Sequence, residues 1–212
     1  MKSKYFSEFL GTAFLFCTVV GSGIMGQNLS SNDSLTLLAN TLATVFALYF
    51  LITIFGDHSS HFNPVVSMVM LARKEISTQV CTVFIILQIS GAILGVMLAN
   101  YIFELDPVYF SEKPRSGTHL FVSEILATFG LLMVILLSSK EKVAVTVAAY
   151  IGAAYWFTSS TSFANPAGTI GRSFSNTFAG ISTNDILHFC VAQIIGAFLA
   201  LIIYRTFFES QK

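Results

Sequence analysis

Two Asn-Pro pairs stand at the edges of apolar stretches, one pair in each half of the chain. They are Asn63-Pro64 and Asn165-Pro166, and 102 residues separate the two asparagines. Asn is a good helix N-cap and Pro fits the first helical position, so each pair predicts a helix start. A helix start exposes unpaired backbone N–H groups, which a membrane tolerates only where the backbone lines a cavity. Two such starts predict a pore in which the side-chain NH₂ groups of Asn63 and Asn165 donate to a passing oxygen atom.

Two glutamates and a histidine lie inside apolar sequence or beside the first pair. Glu8 and Glu124 occupy matching positions in the similar sequences Glu-Phe-Leu-Gly-Thr and Glu-Ile-Leu-Ala-Thr. An intramembrane carboxylate could carry protons, or it could accept hydrogen bonds from the loop that leads into a helix start. The symmetry favours this bracing role, because a proton relay needs no symmetric pair. His61 is predicted to line the pore or brace the loop, since His58 and His61 without Glu or Cys form a weak metal motif.

The composition predicts a membrane protein without a nucleic-acid partner. The 212 residues are 54% hydrophobic and 10% charged, with a mean hydropathy of +0.74, and soluble domains need far less apolar content. The formal net charge of zero offers nucleic acid no basic surface. Three cysteines, Cys17, Cys81 and Cys190, lie in apolar stretches and are predicted to be small buried hydrophobes. The sequence contains no nucleophile–base pair, phosphate-binding loop or metal cluster, so it predicts neither an enzyme nor a cofactor.

Six apolar runs are long enough to span a bilayer, which takes about 20 residues each. They are Tyr5–Met25, Leu35–Phe55, Val80–Phe103, Leu120–Leu137, Val143–Ser160 and Ile186–Phe208. Lys and Arg are enriched in cytoplasmic segments, so their distribution predicts the orientation. With both termini in the cytoplasm, eight of the eleven basic residues lie inside: Lys2, Lys4, Arg73, Lys74, Lys140, Lys142, Arg205 and Lys212. The other three, Lys113, Arg115 and Arg172, lie outside.

Two further segments, 56–75 and 161–180, do not fit the six spans. Each begins with small polar residues and continues with a short apolar pattern, Val65–Leu71 in the first and Ala167–Ala179 in the second. Both patterns are too short to cross a bilayer, so we expect re-entrant half-helices. The first should enter from the cytoplasm and the second from outside.

The two halves of the chain, 1–105 and 119–212, resemble each other. Besides the Asn-Pro and Glu motifs, they share Gln-Ile-x-Gly-Ala sequences that begin at Gln88 and Gln193. Three spans in each half invert the second half relative to the first, and inverted repeats place their functional site between the halves. The polar linker 106–118 is therefore predicted to be an external loop.

Together these motifs resemble the aquaporin, or major intrinsic protein, family over nearly the whole chain. The resemblance implies an all-α membrane protein, with six transmembrane helices and two half-helices in an inverted 3+3 repeat, forming one channel domain, 1–212. It implies passive passage of water and small neutral solutes through the lipid bilayer, with ions and protons excluded. It also implies a homotetramer, and the end of the second motif resembles bacterial members, whose plasma membrane is the inner membrane.

The residues that would form the selectivity filter depart from the family pattern. Arg usually follows the second Asn-Pro-Ala, whereas this chain has Gly168. Family offsets from the two asparagines place the remaining filter residues at Ala43, Ala153 and Ser162. A ring of small residues should be wide, so we expect solutes larger than water, such as glycerol, urea or metalloid hydroxides. Val65 replaces the usual Ala after the first pair, and we expect this change to be tolerated.

Arg172 could partly replace the missing charge. It lies seven residues after Asn165, nearly two helical turns, and so shares the face of that asparagine further outward. It is predicted either to make the outer vestibule positive or to extend to lipid head groups.

Two alternative functions stay open at the level of the sequence. One is a strictly water-selective channel. The other is a proton-coupled secondary transporter that uses Glu8 or Glu124, since transporters also contain inverted repeats and broken helices. A Glu8→Gln variant separates the classes, because a carrier would lose pH-dependent uptake whereas a channel would lose folding.

Overall fold

Eight α-helices and one short 3-10 helix form the described part of the chain, residues 2–209 of a computed structural model. The helices are α1 Lys2–Leu29, α2 Asp33–Phe55, α3 Pro64–Ala72, α4 Thr78–Ile102, α5 Thr118–Leu137, α6 Val143–Phe157, α7 Pro166–Arg172 and α8 Ile186–Phe207, with the 3-10 turn Thr183–Asp185 before α8. Five segments are long and apolar enough to cross a membrane: α1, α2, α4, α5 and Thr183–Phe207. Lys212, one of the residues counted as cytoplasmic, lies outside the described range.

The sixth span, α6, is shorter than predicted. It is apolar but has 15 residues and ends at Phe157, whereas the sequence predicts a run to Ser160. At 1.5 Å per residue it measures about 22 Å, less than the roughly 30 Å of a bilayer core. Thr158 is already extended, and the chain continues without helix to Asn165. The irregular segment before α7 therefore begins inside the depth expected of the span.

Glycines allow the long helices to approach closely within each half. Helix α1 packs along α4, and α5 packs along α8. A methyl group at Gly91 or Gly95 of α4 would overlap the backbone of α1, and one at Gly196 of α8 would overlap the backbone of α5. Gly91 and Gly196 are the glycines of the repeated Gln-Ile-x-Gly-Ala sequences. Each repeat therefore brings its Gln close to the Glu of the neighbouring helix.

Helices α3 and α7 are half-helices that run from the centre toward opposite ends of the molecule. At the end that holds the chain termini, Arg205 Nη2 donates to Ala72 O, the last residue of α3, at 2.7 Å. At the other end, Asn100 Nδ2 donates to Phe174 O, two residues beyond α7, at 2.9 Å. We call these the termini end and the linker end. The predicted fold class is confirmed, although α7 stops at Arg172 and does not reach Ala179.

The linker pairs with the segment that follows α7, at the end of the molecule opposite the chain termini. Tyr109 N donates to Phe174 O at 3.1 Å, and Ser111 N donates to Ser173 O at 2.8 Å. Tyr109 and Ser175 form an isolated parallel bridge. These bonds occupy backbone groups that a longer α7 would have used, so the pairing ends the half-helix earlier than its amphipathic pattern predicts.

Candidate functional site

The N-termini of the two half-helices meet at the centre of the fold. Asn63 and Asn165 are both extended N-caps, with φ of −155° and −156°. Asn63 Oδ1 accepts from Val65 N at 3.2 Å, and Asn165 Oδ1 accepts from Ala167 N at 3.0 Å and Gly168 N at 3.2 Å. The sequence therefore correctly places both helix starts, with Pro64 and Pro166 in the first turn.

The side-chain amides of the two asparagines also join the halves. Asn63 Nδ2 donates to Ala164 O at 2.7 Å, and Asn165 Nδ2 donates to Phe62 O at 2.8 Å. The NH₂ groups that the sequence predicts as donors to a passing oxygen therefore also make a contact within the protein. One N–H of each amide holds the opposite half, which leaves the second N–H of each for a ligand.

The residue before each asparagine has a strained backbone that is held from both sides. Phe62 has φ of 49° and Ala164 has φ of 47°, in the left-handed region that non-glycine residues rarely adopt. Phe62 N donates to Glu8 Oε2 at 2.8 Å, and Ala164 N donates to Glu124 Oε2 at 2.9 Å. Their carbonyls accept the two asparagine amides. Hydrogen bonds at both the N–H and the C=O of each residue thus hold the strained conformation, as strained positions require.

Glu8 and Glu124 are fully buried acceptors for these loops. Glu8 also accepts from His61 N at 2.7 Å, from Ser59 Oγ at 2.5 Å and from Gln88 Nε2 at 2.7 Å. Every one of these partners donates, so both oxygens of the Glu8 side chain act as acceptors.

The second half repeats the pattern. Glu124 accepts from Phe163 N at 2.9 Å and from Gln193 Nε2 at 2.7 Å. Gln88 Nε2 also reaches Ser67 Oγ at 3.0 Å, and Gln193 Nε2 reaches Thr169 Oγ1 at 2.9 Å. Each glutamine therefore ties its glutamate to the first turns of a half-helix. His61 Nδ1 shares Ser67 Oγ at 3.0 Å, which adds a further tie in the first half.

A cavity of about 510 Å³ runs past both asparagines. At the termini end, Lys4, Glu75 and Lys140 line it, and toward the linker end it reaches Arg172. One side is apolar, with side chains from the three helices α2, α5 and α6: Leu48, Leu131, Ile135, Val147 and Ile151. The other side is formed by the irregular backbone before each half-helix, including His61 and Ser162.

Six backbone carbonyls of the irregular segments before the half-helices have no protein donor among the described residues, and all of their residues except Thr161 line the cavity. They belong to two equivalent runs: Ser59, Ser60 and His61, and Thr161, Ser162 and Phe163. Ser162 Oγ is buried and likewise lacks a partner there. Polar groups at this depth need partners, so a hydrogen-bonding ligand is the natural complement of the cavity.

Of the four predicted filter residues, Ser162 alone is in the cavity lining of the described chain. Ala153 is exposed on the outside of α6, and Ala43 does not reach the cavity. The neighbouring Thr44 and Tyr155 line it, with Thr44 Oγ1 and Tyr155 OH 3.2 Å apart. Each residue turns a helix by about 100°, so an offset carried across irregular backbone is wrong once it slips by one or two positions. The structure therefore does not bring the small residues predicted from the sequence together around the cavity.

Thr44 and Tyr155 are not among the residues predicted from the sequence, although one signal in the sequence points to Thr44. Thr36, Asn40 and Thr44 recur every four residues on α2, and all three are buried. A polar stripe on an otherwise apolar span indicates a face turned toward the interior of the protein. Tyr155 has no comparable signal, because the other residues of α6 are nearly all apolar.

Gly168 packs against α1 and is not among the lining residues. A methyl group at Gly168 would overlap the Phe16 ring, which itself lines the cavity. The glycine is therefore required by a helix contact, and its small size does not widen the cavity.

We expect Gly168→Ala to lower the free energy of unfolding by about 1–3 kcal/mol, the usual cost of overpacking. Phe16→Leu in the same chain should recover part of this loss, as measured by thermal unfolding in detergent. Gly23→Ala is the matched control, because a methyl group there meets only ordinary contacts at 3.5 Å or more. Equal melting temperatures for Gly168→Ala and Gly23→Ala would contradict this packing role.

Arg172 is 4% exposed and lines the cavity. Its guanidinium carbon lies 3.3 Å from the centre of the Phe163 ring, and its Nε donates to Ala179 O at 2.5 Å. Its two Nη atoms have no protein acceptor within residues 2–209. This burial does not fit a side chain extended to lipid head groups, and the geometry matches the alternative prediction of a cation in the vestibule.

Comparisons with known proteins agree with this architecture. The family model for MIP, the major intrinsic proteins, matches residues 1–204. The chain is 46% identical over 203 residues to the aquaglyceroporin AqpS of Rhizobium meliloti (strain 1021), covering 94% of this chain and 87% of that protein. It is 31% identical over 215 residues to the glycerol uptake facilitator protein-like 6 of Lactiplantibacillus plantarum, covering 93% and 94%.

A solved structure supports the fold independently. The aquaglyceroporin from Plasmodium falciparum superimposes with a TM-score of 0.74 at 18% identity, over 99% of this chain and 98% of that one. At this identity the likeness shows the fold alone. The match to the family over residues 1–204 and the two curated relatives decide the assignment. The chain is an integral membrane protein and belongs to the major intrinsic protein family.

Proposed function

We propose that this protein is a passive channel for water and small uncharged solutes such as glycerol, and that the cavity between the half-helices is its pore. One observation carries the proposal. The cavity is lined on one side by donors and free acceptors, from both asparagines and from the backbone carbonyls of five lining residues, and on the other by aliphatic side chains. The names of two relatives, an aquaglyceroporin and a glycerol uptake facilitator, support the same solute class.

Glycerol fits such a cavity because it is itself two-sided. Its hydroxyl oxygens can accept from the second N–H of Asn63 and Asn165 while its hydroxyl hydrogens donate to the free carbonyls. Its C–H edge would then face aliphatic residues such as Leu131 and Ile151. A continuous line of exchangeable partners lets a solute move without losing all of its hydrogen bonds at once.

Cations would meet an electrostatic barrier at the asparagines. The N-termini of α3 and α7 point at the same place, and each carries a partial positive charge of roughly +0.5. Arg172 adds a full positive charge further along the cavity. Anions would lose their hydration against the aliphatic side. The same geometry that binds hydroxyl oxygens therefore excludes ions and protons.

Selection among neutral solutes takes place, in this proposal, where Thr44, Tyr155, Ser162 and Arg172 line the cavity near the linker end. We call these four residues the outer ring. It contains an aromatic ring, two hydroxyl groups and a guanidinium, so it can bind a hydroxyl group and limit solute width. It replaces the ring of Ala43, Ala153, Ser162 and Gly168 that the sequence predicts. Glu8, Glu124 and His61 serve as braces for the irregular backbone before the two half-helices.

The permeability of the protein to a series of solutes of different size tests this proposal. Purified protein in liposomes is exposed to inward gradients of glycerol, urea and sucrose, and light scattering follows vesicle swelling. We expect protein-dependent swelling in glycerol and none in sucrose, which is too wide for the outer ring. Fast osmotic water flow without detectable glycerol entry would contradict the proposal and support the strictly water-selective alternative.

The remaining features of the assignment follow the family and the charge distribution. We propose a single channel domain of two inverted halves, 1–105 and 119–212, in a homotetramer with one pore per subunit. The protein lies in the plasma membrane. Both termini lie in the cytoplasm and the linker lies outside, because eight of eleven basic residues then face inward. The mass of the detergent-extracted complex and protease access to a terminal tag in sealed vesicles test these points.

A further inference from the structure

The guanidinium of Arg172 is held by a segment whose own position depends on the linker. The acceptor of Arg172 Nε is Ala179 O. The carbonyls on either side of Ala179 accept from linker cations: Gly180 O from Arg115 Nε at 2.8 Å, and Phe178 O from Lys113 Nζ at 2.8 Å and Arg115 Nη2 at 3.4 Å. The acceptor of Arg172 therefore lies between two carbonyls that the linker holds.

Arg115 is a buried residue with several hydrogen bonds, unlike a cation at the protein surface. It is 9% exposed, and its backbone N donates to Asp185 Oδ2 at 2.7 Å. Its Nη1 reaches Ser160 O at 3.4 Å, and its guanidinium carbon lies 4.8 Å from the centre of the Phe163 ring. A single side chain thus joins the linker, the loop before α7 and the segment after α7, and it does not line the cavity.

Segment 178–180 has little freedom to adjust by itself. A methyl group at Gly180 would overlap Ser175 O and the Ser111 side chain, so the backbone there is packed between the linker and the turn after α7. If the Arg115 bonds were lost, Gly180 O would lose its donor in a buried place, and any movement that relieves this loss would displace the packed segment as a unit, including Ala179 O.

The positive charges near Arg172 repel one another, which makes the hydrogen bonds to residues 178–180 important for its position. Burial, followed by the positive charges of Arg115 and Arg172, lowers the pKa of Lys113 to about 8. Arg115 and Arg172 both lie against the ring of Phe163, at 4.8 Å and 3.3 Å. The two positive charges repel each other, and the hydrogen bonds to residues 178–180 help to hold the Arg172 guanidinium in place against this repulsion.

We propose that Arg115 is a positioning residue, which fixes the Arg172 guanidinium at the cavity wall through the carbonyls around Ala179, so that the linker sets the selectivity of the outer ring. This inference rests on the proposed function, because it assigns the selectivity of that pore to a residue outside the pore. Arg115 touches no solute and acts only through Arg172.

The test is the ratio of glycerol to water permeability, measured by stopped-flow light scattering on one preparation of vesicles. The ratio does not depend on how much protein is reconstituted, so a lower yield of a variant does not change it. Arg172→Gln should alter the ratio, and Arg115→Gln should alter it in the same direction by at least roughly twofold, as expected for coupled neighbours. The double variant should match Arg172→Gln alone. Glu112→Gln is the control, because Glu112 is an exposed linker residue whose side chain forms no hydrogen bond within the described structure.

If Arg115→Gln does not fold, Arg115→Lys replaces it in the permeability measurement. Lysine keeps the charge but cannot reach both carbonyls with a planar fork, so we expect a smaller shift of the ratio in the same direction. A wild-type ratio in Arg115→Lys or Arg115→Gln, while Arg172→Gln changes it, would overturn the proposal. Independent effects that multiply in the double variant, or an unchanged ratio in Arg172→Gln, would also overturn it. The proposed function fails differently, when wild-type vesicles themselves show no glycerol entry.

Discussion

Replacing Glu8 with alanine should abolish the accumulation of folded protein in the membrane. Four donors then lose their acceptor in a fully buried place: His61 N, Phe62 N, Ser59 Oγ and Gln88 Nε2. An unsatisfied buried donor costs about 1–3 kcal/mol, and whole proteins are stable by only about 5–15 kcal/mol. The strained backbone at Phe62 would also lose one of the two contacts that hold it.

Size-exclusion chromatography of detergent extracts measures this loss as the monodisperse fraction of a fluorescent fusion protein. Glu124→Ala should behave in the same way, since it removes the acceptor of Phe163 N, Ala164 N and Gln193 Nε2. Glu112→Ala, an exposed carboxylate in the linker, should extract like the wild type. A Glu8→Gln protein that folds normally but loses a pH-dependent uptake would contradict the bracing role and favour the proton-coupled carrier.

Asn165→Asp should convert the neutral-solute pore into one that leaks cations. Aspartate is also a good N-cap, so it can still accept from Ala167 N and Gly168 N. It has no N–H for Phe62 O, and its negative charge opposes the positive ends of α3 and α7. The attraction between a unit charge and a passing cation at close range in a partly buried site exceeds about 1.4 kcal/mol. We therefore expect the cation or proton leak to rise by roughly tenfold or more.

A pH-sensitive dye inside proteoliposomes, with a potassium diffusion potential, measures that leak. Asn63→Asp should show the same change, because Asn63 makes the equivalent bond to Ala164 O. Asn32→Asp is the matched control, since Asn32 is likewise an N-cap but lies at the exposed start of α2. A leak at the wild-type level in folded Asn165→Asp would show that the half-helix ends do not form the barrier.

Local signals in the sequence predict the family and most of the helices correctly. Asn63-Pro64 and Asn165-Pro166 mark helix starts because capping depends on a few neighbouring residues. The family assignment, and with it a passive channel in place of an enzyme, is confirmed by the match over residues 1–204. The contacts of Glu8 and Glu124 match the bracing geometry expected from their symmetry.

The end of α7 and the wall of the cavity depend on contacts between residues far apart in sequence. Helix α7 ends at Arg172 because the following residues pair with the linker, about 60 residues earlier in the chain. Offsets from Asn63 and Asn165 cross irregular backbone with positive φ at several residues, where no fixed rotation per residue applies. Gly168 shows the same limit, because the sequence does not reveal that Phe16 lies against it.

Glycerol entry and proton movement, recorded together on one preparation of wild-type proteoliposomes, test whether the protein is a passive pore. Light scattering follows swelling in a glycerol gradient while an internal dye reports pH, with and without an imposed pH difference. For a passive pore we expect protein-dependent glycerol entry at a rate that the pH difference does not change, with no protein-dependent proton flux. Glycerol entry that is driven by the pH difference and accompanied by internal acidification would show a coupled carrier and contradict a passive pore.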